Sequence, residues 1–432
     1  MNSQFRVLTA VLWAVFGLSA AKAADALKGA VVQLPPFIVW ESAGEKPWLY
    51  VSTDDFEVIS NCNKRLTESF VEQIARKVKM LDEFIPKGLQ TRSPVRSIII
   101  LVDESFEKTM AREMVKDLES GSRPDGGNSR LLQMPQMTLF DGDVSAMICV
   151  IDSDIVTYGN LGLTPEYVLN ALRFRKPALP LWYAYGSYSL FGRINWNAAS
   201  SVTLPPMVWT AKARELMPLR DFFACSPEPG TDRAAMWLLE SELFIHWAFD
   251  GPQARRESLW RFIDLSSKEP LTESLFAQCF GKGYDEMNSE LALYRKKAMS
   301  SAATIVRSGS VYGFARSRPA TPEEVFRVKG EWGRLETAYV RSVYPDLADR
   351  YVATTSSMLD RAYENGVRSP EFAAVSGLYR FENGDFLAAR PLLEAAAAAE
   401  ISRPSVYRAL AEIARRQAGT RLGGSEITLV QP

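Results

Sequence analysis

A single histidine, His246, occurs in 432 residues, and that scarcity excludes any metal centre built on two imidazoles, wherever the fold places it. The four cysteines, Cys62, Cys149, Cys225 and Cys279, are far apart and form no C-x-x-C, which argues against a thiolate zinc site or a thioredoxin-like redox site. No G-x-S-x-G turn is present to raise a serine nucleophile, and Gly186-Ser187-Tyr188-Ser189 only approaches that pattern. Gly281-Lys282-Gly283 lacks the upstream glycine and the following Ser or Thr of a phosphate loop. Neither sign of charge is in excess: 50 Lys and Arg face 51 Asp and Glu. Nucleic acid is therefore not an expected partner.

What is present points to a folded, soluble product. Hydrophobic residues make up 47% and charged residues 23%, the balance of a globular protein, and the length favours two or three domains. Residues 1–23 hold Arg6, an apolar run from Leu8 to Ala20, and Ala21-Lys22-Ala23, a small-x-small cleavage pattern. This predicts a secretory signal peptide, since the run is shorter than the ~20 residues of a spanning helix. The expected mature chain has no transmembrane segment, carries a charge of −3 after losing Arg6 and Lys22, and is exported, to a periplasm or outside the cell. That setting permits disulfides, with three full pairings open to the four cysteines and buried free thiols as the alternative.

Residues 24–46 show no periodicity and are expected to be a lead-in segment. Trp48 to Ser60 predicts two strands turned at Asp54-Asp55. Asn63 to Phe84 places Leu66, Phe70, Ile74, Val78, Leu81 and Phe84 at spacings of three and four, an amphipathic helix. Val95 to Val102 suits a buried strand, Ser105 to Leu118 a helix, and Gly121 to Gly127 a surface loop. Met137–Phe140 and Ala146–Ile151 flank Asp141-Gly142-Asp143, a hairpin. Asp141, Asp143, Asp152 and Asp154 lack the spacing of a calcium loop and are expected to form turns and stay solvated. Residues 164–299 are mostly helical. The fold class expected is α+β, with a mixed unit over 47–300, a linker over 301–320, an all-helical domain over 321–419 and a tail over 420–432.

In that last domain Pro370 and Pro404 are 34 residues apart, with Gly377 and Ala411 at matching offsets, the period of a tetratricopeptide repeat. Gly377, Asn383-Gly384-Asp385-Phe386, Ala389, Leu393 and Ala396 resemble the small and apolar positions of that family, while Ala373 and Arg380 depart from its aromatic ones. The resemblance implies a short solenoid of helix pairs with a partner-binding face.

Pro165-Glu166-Tyr167-Val168-Leu169, followed by Leu179-Pro180-Leu181-Trp182-Tyr183-Ala184-Tyr185-Gly186, resembles the peptidase MA-like, gluzincin-type metallopeptidases. Their H-E-x-x-H helix supplies two zinc ligands and a general base, and the next helix supplies a carboxylate ligand before a glycine. Matched in this way, Pro165 and Leu169 occupy the histidine positions, Glu166 keeps that of the base, and Tyr185 replaces the carboxylate. The resemblance thus implies a zincin-like fold without metal, cofactor or metal-activated water. Pro and Leu offer no lone pair, and a phenol ionises only near ~10.

A cleft left by the lost zinc would be lined by Trp182, Tyr183, Tyr185 and Tyr188, with Ala146–Ile151 as the sheet edge on which a peptide could pair. Tyr185 and Trp182 are expected to fill the space instead. His246 is expected to pack rather than catalyse; a pairing of Cys225 or Cys279 with it is conceivable, but nothing in the local sequence favours an activated thiolate. The function expected is that of an inactive peptidase-fold protein acting as a binding or assembly module for peptides or proteins; the alternative is a hydrolase using residues other than zinc ligands.

Overall fold

The computed structural model describes residues 31–34, 47–81, 95–103, 130–133, 136–151, 167–168, 172, 179–191, 195–198, 201–210, 215–225, 227–228, 230–306 and 316–423. Expectations for the signal peptide, the 105–118 helix, the 121–127 loop, Pro165, Glu166, Leu169, Asp152, Asp154 and the end of the tail fall outside them.

Strands β1 (Val31–Leu34), β2 (Leu49–Ser52), β3 (Phe56–Ser60), β4 (Ser97–Asp103), β5 (Arg130–Gln133), β6 (Gln136–Phe140) and β7 (Ser145–Ile151) precede most of the helices. The short β11 (Arg318–Pro319) joins them to give a six-stranded sheet of order β11-β2-β3-β4-β7-β6. Its centre, β3-β4-β7, is parallel; β11, β2 and β6 run antiparallel to their neighbours. Near-continuous apolar runs such as SIIILVD in β4 suit such central strands, which are covered on both faces. The result is a mixed α/β structure, compatible with the α+β class.

Alternation along the strands divides the residues between two cores. Val58, Ile99, Leu101, Met147 and Cys149 face α1 (Lys64–Leu81), meeting its stripe of Leu66, Phe70 and Ile74. Ile59, Ile98, Ile100, Val102, Ala146 and Ile148 face the other way. That second face is covered by Val328, Trp332 and Leu335 of a helix, Pro322–Val343, far along the chain. The first core continues into α2 (Leu181–Phe191), α3 (Leu219–Ala224), α4 (Asp232–Phe249), α5 (Gln253–Ser266), α6 (Glu273–Phe280) and α7 (Tyr284–Ser300). A small sheet of β8 (Asn195–Ala198), β9 (Ser201–Leu204) and β10 (Ala303–Val306) has the order β10-β9-β8.

Three expectations need correction here. The 24–46 segment contains a strand, since β1 pairs in parallel with β5; four residues are too few to show a period. The 301–320 segment is more than a linker, because β10 pairs with β9 and β11 pairs with β2. Ala146–Ile151 is not an edge: β7 lies between β4 and β6, and β6 is the end strand of the sheet. The hairpin at Asp141-Gly142-Asp143 returns β6 to the outside of β7, whose buried run SAMICVI marks an inner strand.

The last helices are α8 (Pro322–Val343), α9 (Ala348–Glu364), α10 (Pro370–Glu382), α11 (Phe386–Ala398) and α12 (Pro404–Gly423). A capping box of Thr321 and Glu324, with Pro322 in the first turn, starts α8. α10 and α11 pack closely because position 377 is glycine; a Cβ there would lie 2.9 Å from Leu393. Val406, Ala409 and Ile413 of α12 close this core against Ala374, Leu378 and Leu393. The helical segment is not a separate body, because its first helix is the second cover of the sheet. Among the described residues no helix is long and apolar enough to cross a membrane.

Polar ties reinforce that cover. Glu57 of β3 accepts from Tyr50 Oη at 2.9 Å and forms a double ion pair with Arg327 of α8. Lys329 Nζ lies 4.3 Å over the Trp48 ring. At the hairpin, Asp141 Oδ1 accepts from the amides of Asp143 and Val144 at 2.6 and 2.9 Å, an Asx turn, while Oδ2 pairs with Arg334. Buried Asp143 accepts from Ser405 N at 2.6 Å and Arg408 at 3.0 Å. The turn forms as expected, but α8 and α12 replace the solvent.

Candidate functional site

Helix α2, LWYAYGSYSLF, has no charged residue, and its apolar character runs all round, the pattern of a helix enclosed by protein. It starts where Pro180 O accepts from Tyr183 N at 3.0 Å and Ala184 N at 3.1 Å. Its closest neighbour is α4, and the contact is at backbone distance: a Cβ on Gly186 would lie 2.5 Å from Ser241 O. Gly186→Ala is therefore expected to force the helices apart and destabilise the protein by about 1–3 kcal/mol, measured as a lower urea midpoint at unchanged slope; an unchanged midpoint would contradict the contact.

The four aromatic residues expected to line a cleft do not share one environment. Trp182 sits in a cluster with Phe222, Phe223, Phe244 and Phe262, ring centroids 5.3–6.3 Å away. Tyr183 is fully buried and Tyr188 nearly so. These three are core residues, while Leu181 and Tyr185 of the same helix keep contact with solvent. Tyr185 alone is half-buried, its ring 5.8 Å from Trp237 in an edge-to-face contact. Burial pushes its phenol up to about 12, so it carries a neutral hydroxyl at any ordinary pH. Tyr167, Val168 and Leu172, which flank or separate the matched positions, are helical and buried in the same core.

No alternative nucleophile is assembled at these positions. Ser187 is buried within α2, and Ser189 Oγ donates to Glu242 of α4. His246 is fully buried, with Nδ1 2.6 Å from Tyr294 Oη and Nε2 3.4 Å from Pro205 O. No disulfide joins the four cysteines, and burial raises the thiols of Cys149 and Cys279, which opposes thiolate formation. Among the described residues no group of three His, Cys, Asp or Glu is placed to hold a metal ion.

Glu240 and Lys77 are among the buried titratable residues that the sequence did not single out. Glu240 is buried on α4, accepts from Met217 N at 2.6 Å, and is pushed up to about 7 by burial. Its signal was available: Glu240 and Glu242 lie about 200° apart on a helix, so in an apolar stretch such as LLESELFIHWAF both cannot face water. Lys77 follows Ile74 on the buried side of α1, and burial pushes its ammonium down to about 8. The raised Glu240 makes the folded state hold a proton that the unfolded chain releases near ~4.3. Its contribution to stability is therefore full below that value and lost as pH rises through about 7. Glu240→Gln is expected to flatten the stability profile between these limits in urea titrations at a series of pH values; an unaltered slope would contradict the assignment.

No family model, curated protein or solved structure matches this chain. The geometry defines a mixed α/β protein in which α2 packs on α4 and leaves Tyr185 half-buried.

Proposed function

We propose that this chain is a catalytically inactive peptidase-fold protein, exported from the cell, that serves as a binding or assembly module for peptide or protein partners. The fold proposed for it is zincin-like over the mixed half, followed by tetratricopeptide-like helix pairs. The observation that carries the proposal is Tyr185, whose neutral phenol packs on Trp237 where the resemblance expects a zinc-binding carboxylate. The only histidine of the sequence supports it, since that residue is buried between Tyr294 and Pro205. Helices α10 to α12 contribute the stacked pairs on which partner surfaces are commonly built.

Metal analysis and a broad peptide-library digest of the purified mature protein test this reading. Substoichiometric zinc and no cleavage are expected. Stoichiometric zinc that disappears in Glu166→Ala or Tyr185→Phe would overturn it. The alternative, a hydrolase without zinc, is favoured by one feature, the Glu240 carboxyl that titrates near neutrality. Cleavage of any library peptide that Glu240→Gln abolishes would establish that alternative.

A further inference from the structure

The tripeptide Glu-Asn-Gly occurs twice, as Glu364-Asn365-Gly366 and Glu382-Asn383-Gly384, and these hold the only Asn-Gly steps of the sequence. The first ends α9 and the second ends α10, on nearly the same backbone. Asn365 has φ −76° and ψ 7°, Asn383 has φ −91° and ψ 4°, and the glycines are left-handed at φ +85° and +84°. Gly366 N donates to Tyr363 O and Gly384 N to Phe381 O, both at 3.1 Å. The next amides close the same wider turn, Val367 N on Ala362 O at 3.1 Å and Asp385 N on Arg380 O at 2.9 Å. Both are Schellman ends.

An Asn-Gly step is open to attack on itself, because glycine places no side chain across the approach of its amide nitrogen to the preceding side-chain amide. That nitrogen gives its proton to hydroxide or water and attacks Cγ; a C–N bond forms, the Cγ–Nδ2 bond breaks and ammonia leaves. Water then opens the cyclic imide at either carbonyl, giving aspartate or isoaspartate with no oxidation or reduction. The asparagine ψ must swing away from zero for the ring to close, a cost common to both sites. Their side chains differ. Asn383 Nδ2 donates to Tyr379 O at 2.7 Å, and its Oδ1 accepts from Arg341 of α8. Asn365 is exposed and, among the described residues, makes no side-chain hydrogen bond.

We propose that Asn365 is a site of spontaneous covalent modification, converted to aspartate and isoaspartate through the Gly366 amide, and that Asn383 is protected by its two hydrogen bonds. Isoaspartate routes the main chain through the side-chain carboxyl and so adds a methylene between residues 365 and 366. The Val367 amide is thereby drawn off Ala362 O. Val367 is buried with Met358, Leu359, Phe372 and Tyr379 between α9 and α10, and the modification loosens that junction. Aspartate, the other product, adds negative charge at the C-terminus of α9, where it is unfavourable. This chemistry is independent of the peptidase-fold proposal.

The test is to hold full-length protein in mildly alkaline buffer and follow both sites by peptide mass spectrometry, with enzymatic methyl transfer to isoaspartate as a second readout. Conversion at Asn365 is expected to run about tenfold faster than at Asn383, the factor that one retained hydrogen bond supplies. Arg341 is exposed, and Arg341→Ala is expected to raise the rate at Asn383 severalfold while leaving Asn365 unchanged, with folding checked by circular dichroism. The separated isoaspartate form is expected to show faster amide exchange at Val367 and a lower urea midpoint than fresh protein. Equal rates at the two sites of the wild-type protein would overturn the proposal, as would an intact Asn365 under conditions where the urea-unfolded chain converts. An unchanged Asn383 rate in folded Arg341→Ala would refute the protection, and unchanged Val367 exchange in the isoaspartate form would refute the loosened junction.

Discussion

A chain cut before Thr321 is expected not to fold. Removing α8 strips Val328, Trp332 and Leu335 from one face of the sheet and exposes Ile59, Ile98, Ile100, Val102, Met137, Leu139 and Ile148, all now buried. At about 1.5–3 kcal/mol for each large apolar side chain returned to water, the loss is on the order of 10–20 kcal/mol, comparable to or larger than the ~5–15 kcal/mol that holds a typical domain together. The measurements are soluble yield, near-ultraviolet circular dichroism and dye binding of residues 24–320. A cooperative thermal transition and native-like near-ultraviolet signal in that fragment would refute the shared core. Mapping a partner to one half of the molecule therefore requires point substitutions on exposed surfaces.

The second large effect is expected at Arg334. Its guanidinium is buried among Glu331, Asp141 and Glu382, and Glu331 also receives both arms of Arg403 at 2.6 and 2.8 Å. Burial opposes ionisation of Asp141 and Glu331, yet the charges of Arg334 and Arg403 overcome it and hold both carboxyls low. At Glu382 burial prevails over Arg334 and the carboxyl is raised. Arg334→Ala leaves buried carboxylates without their main counter-charge and is expected to cost about 3–5 kcal/mol, read from urea unfolding at pH 7. The triple variant Arg334→Met, Glu331→Leu, Arg403→Met, which removes the three most buried charges of the network together, is expected to recover part of that loss, because the penalty comes from orphaned charge.

The pH dependence follows from the same contacts. The depressed Asp141 and Glu331 give stability that is present above their unfolded values near ~4 and is lost as pH falls through their folded values. In Arg334→Ala this acid limb is expected to shrink. A wild-type stability profile that rises towards acid across that range would contradict the network.

Local patterns carried much of the architecture. The spacing of Leu66, Phe70 and Ile74 marked α1, and the apolar run at Ile98 to Val102 marked an inner strand. Proline positions marked the starts of α8, α10 and α12, whereas α12 runs on to Gly423, past the boundary expected at 419. What the sequence could not show was which distant helix covers which face. Trp332 and Ile100 are brought together by the fold alone, and an amphipathic helix such as α8 looks the same whether it meets a sheet or another helix. Arg334 and Glu331, three apart, resemble an ordinary surface pair until Asp141 and Arg403 arrive from elsewhere.

The candidate site was legible in a different sense. The resemblance directed attention to a cleft at Trp182, Tyr183, Tyr185 and Tyr188, yet the uncharged all-round apolar character of α2 already signalled enclosure. Of the four, only Tyr185 keeps partial contact with solvent. Glu240 was hidden for the opposite reason: a glutamate in a helix is usually a surface residue, and its burial depends on Met217, more than 20 residues away.

The seat of α8 on the sheet also bears on how the molecule is made. Synthesis delivers β2, β3 and β4 early and Leu335 late, so one apolar face of the nascent sheet stays open for most of translation. Until the C-terminal quarter emerges, the residues that cover that face, Val328, Trp332 and Leu335, have not yet been made.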